Sequence, residues 1–80
     1  MKLPRDLSGD ELARALGRLG YEVTRQTGSH LRLTTAQPIE HHVTIPRHRA
    51  LRVGLLSALL SDLASHHDMG RDELLDRLFE

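Results

Sequence analysis

Two short runs in which apolar and polar residues alternate, residues 21–26 and 30–35, are separated only by Thr27-Gly28-Ser29. That spacing constrains the chain more than any other feature, because two strands with so short a connection pair as an antiparallel hairpin. Gly28 in the connection permits a backbone shape that other residues avoid. If Leu31 and Leu33 face a core, His30, Arg32 and Thr34 face the other way. A titratable nitrogen, a permanent cation and a hydroxyl then stand in a row on an open sheet face.

The flanking sequence supplies the cover for the opposite face. Ser8-Gly9-Asp10-Glu11 has serine at a helix cap and glutamate three positions on, the pattern of a capping box. Leu12, Ala15, Leu16 and Leu19 follow at helical spacing and Gly20 sits where a helix closes, so the first helix is expected over residues 9–19. Ala36-Gln37-Pro38 breaks the second strand. A third strand is expected over 41–45, ended by Pro46, with His41, Val43 and Ile45 inward and His42 and Thr44 on the open face. After a basic loop, residues 46–54, a helix is expected over 54–66 with Leu56, Leu59, Leu60 and Leu63 inward. A short last helix is expected over 71–79, carrying Leu74, Leu75, Leu78 and Phe79. The order describes one α+β domain over residues 1–80: a three-stranded antiparallel sheet with helices on one face and a short extra C-terminal helix.

Composition narrows the possibilities. Tyr21 and Phe79 are the only aromatic residues apart from histidine, so the core is aliphatic. With no cysteine, disulfides and thiolate–zinc sites are excluded. A domain this small without such staples is a candidate for stabilisation by a partner. No apolar run approaches the roughly 20 residues of a membrane span, and Met1-Lys2-Leu3-Pro4-Arg5-Asp6 lacks the apolar segment of a secretory signal. A cytoplasmic protein is expected. Net charge is zero, yet residues 1–54 carry nine Lys/Arg against five Asp/Glu, and residues 55–80 two against six. Ten of the eleven cations are arginine, which suits two-pronged contact with phosphate.

Four features carry candidate chemistry, each with a plainer alternative. His30 reads as a general acid or base, or as a solvent-facing strand histidine. Cleavage of RNA without metal needs the ribose 2′-hydroxyl deprotonated and the leaving 5′-oxygen protonated, and one histidine can serve one of these steps. Arg47-His48-Arg49, with Arg52, reads as a phosphate-binding loop ahead of a helix N-terminus, or as a solvated loop complementing the acidic Asp62, Asp68, Asp72, Glu73, Asp76 and Glu80. His41 and His42 are adjacent, so they point to opposite faces and cannot share a metal. His66 and His67 read as charge complements to a helix C-terminus. No ligand set has metal spacing, and neither a metal nor a small-molecule cofactor is expected.

Gly28-Ser29-His30, Thr44-Ile45-Pro46-Arg47-His48 and Leu51-Arg52-Val53-Gly54-Leu55-Leu56, in that order, resemble the HicA (YcfA-like) mRNA interferase toxins. That family's pattern is a G-S/T-H turn and strand, a V-P-x-H segment and a G-T-L helix start, and the likeness covers about residues 8–66. It implies a double-stranded-RNA-binding-domain-like α-β-β-β-α fold and metal-independent endoribonuclease activity on mRNA. It also implies inhibition by a HicB-type antitoxin that covers the active site. The family's catalytic histidine falls on His30, with Gly28 shaping the turn and Ser29 orienting the imidazole or a phosphate oxygen. Arg32, Arg47, His48 and Arg49 are the accompanying RNA-binding candidates. Leu55 departs from the pattern, standing where the family has threonine. Two other readings fit the residues without the resemblance: a non-catalytic RNA-binding module on the same fold, and a protein-docking domain.

Overall fold

A computed structural model describes residues 4–80; Met1-Lys2-Leu3, part of the segment read above for a secretory signal, lies outside the described residues. The element order is α1 (Gly9–Leu16) with a 3-10 turn (Gly17–Leu19), β1 (Glu22–Gln26), β2 (His30–Thr35), β3 (His41–Pro46), α2 (Val53–His66) and α3 (Arg71–Phe79). The three strands form one antiparallel sheet in sequence order. This is the expected α+β architecture.

Helix α1 begins as its capping box requires. Ser8 Oγ accepts the Glu11 N–H at 3.0 Å, and Glu11 Oε1 accepts the Ser8 N–H at 3.0 Å. Gly17 keeps a right-handed backbone, so the chain tightens into the 3-10 turn and stops at Gly20, whose φ of +85° is the left-handed value glycine tolerates. Leu12, Leu16 and Leu19 are buried against Leu31, Leu33, Val43 and Ile45 of the sheet and Leu56, Leu60 and Leu63 of α2. Leu74, Leu75 and Leu78 bring α3 into the same core. Arg71 staples α3 to α2 by donating to Ser57 O at 2.8 Å and Ser57 Oγ at 2.9 Å.

Strand β1 departs from the expected alternation. Its register against β2 slips between Val23 and Arg25, a bulge that leaves Thr24 as the extra residue. As an edge strand with broken register it buries none of its own five residues, and Val23 is 48% exposed. Tyr21, just ahead of it, is the residue that enters the core. Helix α2 begins at Val53, one residue early, and carries no side-chain cap at Arg52.

The N-terminus of α1 lies against the end of β3. A Cβ on Gly9 would stand 2.0 Å from the Pro46 carbonyl oxygen. Gly9 N–H donates to His48 O at 3.0 Å, and Leu51 N–H to Leu7 O at 2.7 Å. These contacts hold the basic loop, residues 47–52, onto the helix start.

A cluster of rings closes the other end of the sheet. Tyr21 Oη lies 2.7 Å from His41 Nδ1 and 3.0 Å from His67 Nε2. His41 Nε2 meets Asp62 Oδ2 at 3.2 Å, and His66 stacks on His41 with centroids 4.1 Å apart. His66 lies in the last turn of α2, as the sequence suggested, while His67 is drawn into the ring cluster beside Tyr21. Burial, followed by the neighbouring His66, His41 and Arg77, holds the His67 imidazole below its ordinary 6.5. Burial and Asp62 push the Tyr21 phenol up to about 12. One self-consistent arrangement has His67 Nε2–H donating to Tyr21 Oη, Tyr21 O–H to His41 Nδ1, and His41 Nε2–H to Asp62.

Two outcomes are expected. Gly9→Ala lowers stability by about 1–3 kcal/mol, because the methyl group meets backbone that must shift. Gly17→Ala, with right-handed φ and open space at Cβ, is neutral or stabilising by up to about 1 kcal/mol; thermal melts of the two variants check both signs. For His67 the unfolded chain takes up the proton first, so its contribution is present above about pH 6.5 and is lost as pH falls below that value. Melting temperature measured by circular dichroism should fall on acidification through that window, and His67→Gln, which retains a donor but cannot titrate, should flatten the fall.

Candidate active site

His30 opens β2 at the tightest part of the hairpin. Thr27 N–H donates to His30 O at 2.9 Å, and His30 N–H donates back to Thr27 Oγ1 at 3.0 Å. Ser29 O accepts the Arg47 N–H at 2.8 Å, which ties the turn to the basic loop. The backbone at His30 is thus fixed by the turn on one side and by β3 on the other, where it pairs with Pro46.

The ring itself is exposed. Its Nδ1 lies 2.9 Å from Ser29 Oγ, and its Nε2 has no hydrogen-bond partner among the described residues. A hydroxyl both donates and accepts, so Ser29 supports either protonation state. When Nδ1–H donates to Oγ, Nε2 presents a lone pair; when the ring is charged, Nε2–H presents a proton. One nitrogen is held and the other is offered to whatever approaches.

Gly28 does not have the role expected of it. Gly20 is the glycine with positive φ, and Gly28 is not. A Cβ at Gly28 would meet nothing within 4 Å. The turn is shaped instead by the Thr27 hydroxyl, which also receives the Ser29 N–H at 3.4 Å.

The outward row is as the alternation predicts: Leu31 and Leu33 are buried while His30 and Arg32 are exposed. The bulge adds a residue that the sequence did not single out. It sets Arg25 directly opposite Arg32, and neither guanidinium has an ion pair among the described residues. Like charges facing each other across a strand pair repel, and an anion between them relieves that repulsion. Further along the same face, Thr24 Oγ1 meets Thr34 Oγ1 at 2.9 Å, Thr34 Oγ1 meets His42 Nδ1 at 2.7 Å, and His42 Nε2 meets Glu40 Oε2 at 3.0 Å.

The basic loop divides its cations. Arg47 is committed inward, its Nε and Nη2 reaching the two oxygens of Asp10 at 3.0 and 3.1 Å. The Arg47 hydrogen bond holds the Asp10 carboxyl below its ordinary range, and Asp10 in turn raises Arg47. Such an exposed pair stabilises little by itself, but it occupies the guanidinium fork. His48, Arg49 and Arg52 are exposed, and no side-chain hydrogen bond holds any of them among the described residues. Leu55 lies in the first turn of α2 and is 37% exposed.

Clefts beside Leu7 and Phe79, beside His67 and Arg77, and beside Leu51 and Leu56 are not lined by His30. His30 and Arg32 stand exposed on the sheet face, outside these clefts. Among the described residues, no group of three or more His, Asp or Glu side chains is placed to hold a metal, and no helix is long and apolar enough to cross a membrane.

Comparison with known proteins gives one result. The family described as HicA toxin of bacterial toxin–antitoxin matches residues 9–64, from the first residue of α1 into the last turns of α2. No curated protein and no solved structure matches.

Proposed function

The chain belongs to the HicA toxin family of bacterial toxin–antitoxin systems, and from that premise we propose that it is a metal-independent endoribonuclease that cleaves mRNA with His30 as its proton-transfer residue. The observation that carries the reading is the His30 ring, exposed, held by Ser29 at Nδ1 and open at Nε2. In the cleavage, the ribose 2′-oxygen attacks phosphorus as the bond to the 5′-oxygen breaks. One proton leaves the 2′-hydroxyl and one arrives at the 5′-oxygen, and Nε2 of His30 serves one of these two transfers. Arg32, with Arg25 opposite it, neutralises the phosphate charge that grows in the transition state. Arg49 and His48 extend the cationic surface along the adjacent loop. Arg47 acts through the backbone: its N–H fixes Ser29, and its side chain fixes the loop to α1.

A toxin of this kind needs a partner that silences it. The partner is a HicB-type antitoxin that covers the His30 face, and both proteins act in the cytoplasm.

Purified protein incubated with RNA in EDTA tests the assignment. His30→Ala should keep the melting temperature while lowering cleavage by roughly 10²–10⁴-fold, the usual contribution of a general acid or base, and should abolish growth inhibition. Cleavage by that variant at the parental rate removes His30 from the mechanism. RNA binding without strand scission by the parent would leave a non-catalytic RNA-binding module. Arg32→Ala should reduce the slope of log Kd against log salt by about 0.7 for one lost single-strand phosphate contact, whereas an unchanged slope would place the phosphate elsewhere.

A further inference from the structure

The hydrogen-bonded row Glu40–His42–Thr34–Thr24 has no part in the chemistry assigned to His30. It crosses all three strands on the open face, from the residue before β3 to the bulge of β1. Its centre is the His42 imidazole, whose side chain is 39% exposed. An exposed histidine–carboxylate pair adds little to stability, and ordering four polar side chains on a wet surface costs conformational entropy. The outcome of that ordering is a flat ring held at a fixed tilt.

Both ring nitrogens are occupied, Nδ1 by Thr34 and Nε2 by Glu40. The same geometry serves either charge state. In the neutral ring, Nε2–H donates to Glu40, Nδ1 accepts the Thr34 O–H, and Thr34 accepts the Thr24 O–H. In the charged ring, Nδ1–H donates to Thr34, Thr34 donates to Thr24, and Thr24 donates to Arg32 O at 3.4 Å. With its edge satisfied, the ring has its faces left to offer. Tyr21 is buried and Phe79 packs against the core, so the flat surfaces on this sheet face are imidazoles.

We propose that His42 is a base-stacking platform for single-stranded RNA, a subsite that holds a nucleobase away from the bond being cut; this rests on the ribonuclease reading of the His30 face. The register supports the placement. His42 lies beside Thr34, and Thr34 is four residues from His30 along β2, about 13 Å at the rise of a strand, with Arg32 midway. An RNA strand running along β2 places the scissile phosphate between His30 and the Arg32–Arg25 pair while a neighbouring base lies on His42. Unpaired bases are read in this manner on aromatic and histidine side chains. Stacking strength rises with the size of the base, so a purine is preferred at this position.

Fluorescence anisotropy with a short oligoribonucleotide made uncleavable by 2′-O-methylation measures the subsite apart from catalysis. His42→Ala should weaken binding by roughly tenfold or more, as expected for one lost base–aromatic stack. His42→Phe, which keeps the plane and loses both hydrogen bonds, should bind within about threefold of the parent. An oligonucleotide abasic at the stacked position should bind the parent more weakly and the alanine variant no more weakly than the intact one. With cleavable RNA, His42→Ala should raise KM and leave kcat unchanged. Equal binding by parent and alanine variant, a phenylalanine variant as weak as alanine, or no RNA binding by the parent overturns the platform. A parent that binds the oligonucleotide with these differences but cuts no RNA overturns the ribonuclease reading and leaves the platform standing.

Discussion

The packing of Gly9 against the Pro46–Arg47 peptide is the contact on which the arrangement of the functional face depends. Any side chain at residue 9 would enter the Pro46 carbonyl, so the first turn of α1 and the end of β3 share a space that only a hydrogen atom fits. From there the linkage runs through backbone. Gly9 N–H holds His48 O, Arg47 N–H holds Ser29 O, and Ser29 Oγ reaches the His30 ring. Helix, loop, turn and strand are thereby coupled through three hydrogen bonds. A site assembled from a hairpin turn and a loop would ordinarily be mobile; here each segment is fastened to the next and the last fastening is to the imidazole.

Charge follows the same logic of commitment. Net charge is zero, yet the cations are divided unequally between structure and surface. Arg47 is committed to Asp10, Arg71 to Ser57 and Ser61, and Arg18 to the Glu80 carbonyl. Of the acidic residues in the first half, Asp10 is engaged by Arg47, Glu11 by the α1 cap and Glu40 by His42. Arg25, Arg32, Arg49 and Arg52 have no ion pair among the described residues. The surface around His30 therefore carries a positive field that the overall neutrality hides.

Local patterns in the sequence carried the elements, and contacts between distant residues decided what the patterns meant. Periodicity and the punctuation at Gly20, Pro38 and Pro46 marked β2, β3, α2 and α3 within about a residue, and α1 together with its 3-10 turn, because each depends on neighbours in the chain. Strand β1 was only half legible. Its alternation does not announce a bulge at Thr24, and the bulge is what brings Arg25 opposite Arg32. Gly28 drew attention as a glycine in a turn, while the glycine that the fold requires at the site is Gly9, hidden inside a capping box. Arg47 looked like a free cation because Asp10 lies 37 residues away. His67 looked like a helix-end charge because its partner Tyr21 lies 46 residues away in the sequence.

The histidines show how one side chain acquires different roles from the number of nitrogens left unbound. The chain has little other aromatic surface, so imidazole does the work of both a titrating group and a flat ring. His67 is half-buried beside Tyr21, and burial favours its neutral form; there it is a component of the ring cluster. His30 is held at one nitrogen and open at the other, the arrangement proton transfer requires. His42 is held at both, which leaves neither nitrogen open to an approaching group and fixes the plane of the ring. The two outward rings are on the same sheet face and differ in a single respect, the presence of Glu40 opposite Nε2. In the proposed division of labour along β2 and β3, the hydrogen bond to Glu40 is what sets the stacking ring apart from the proton-transfer ring.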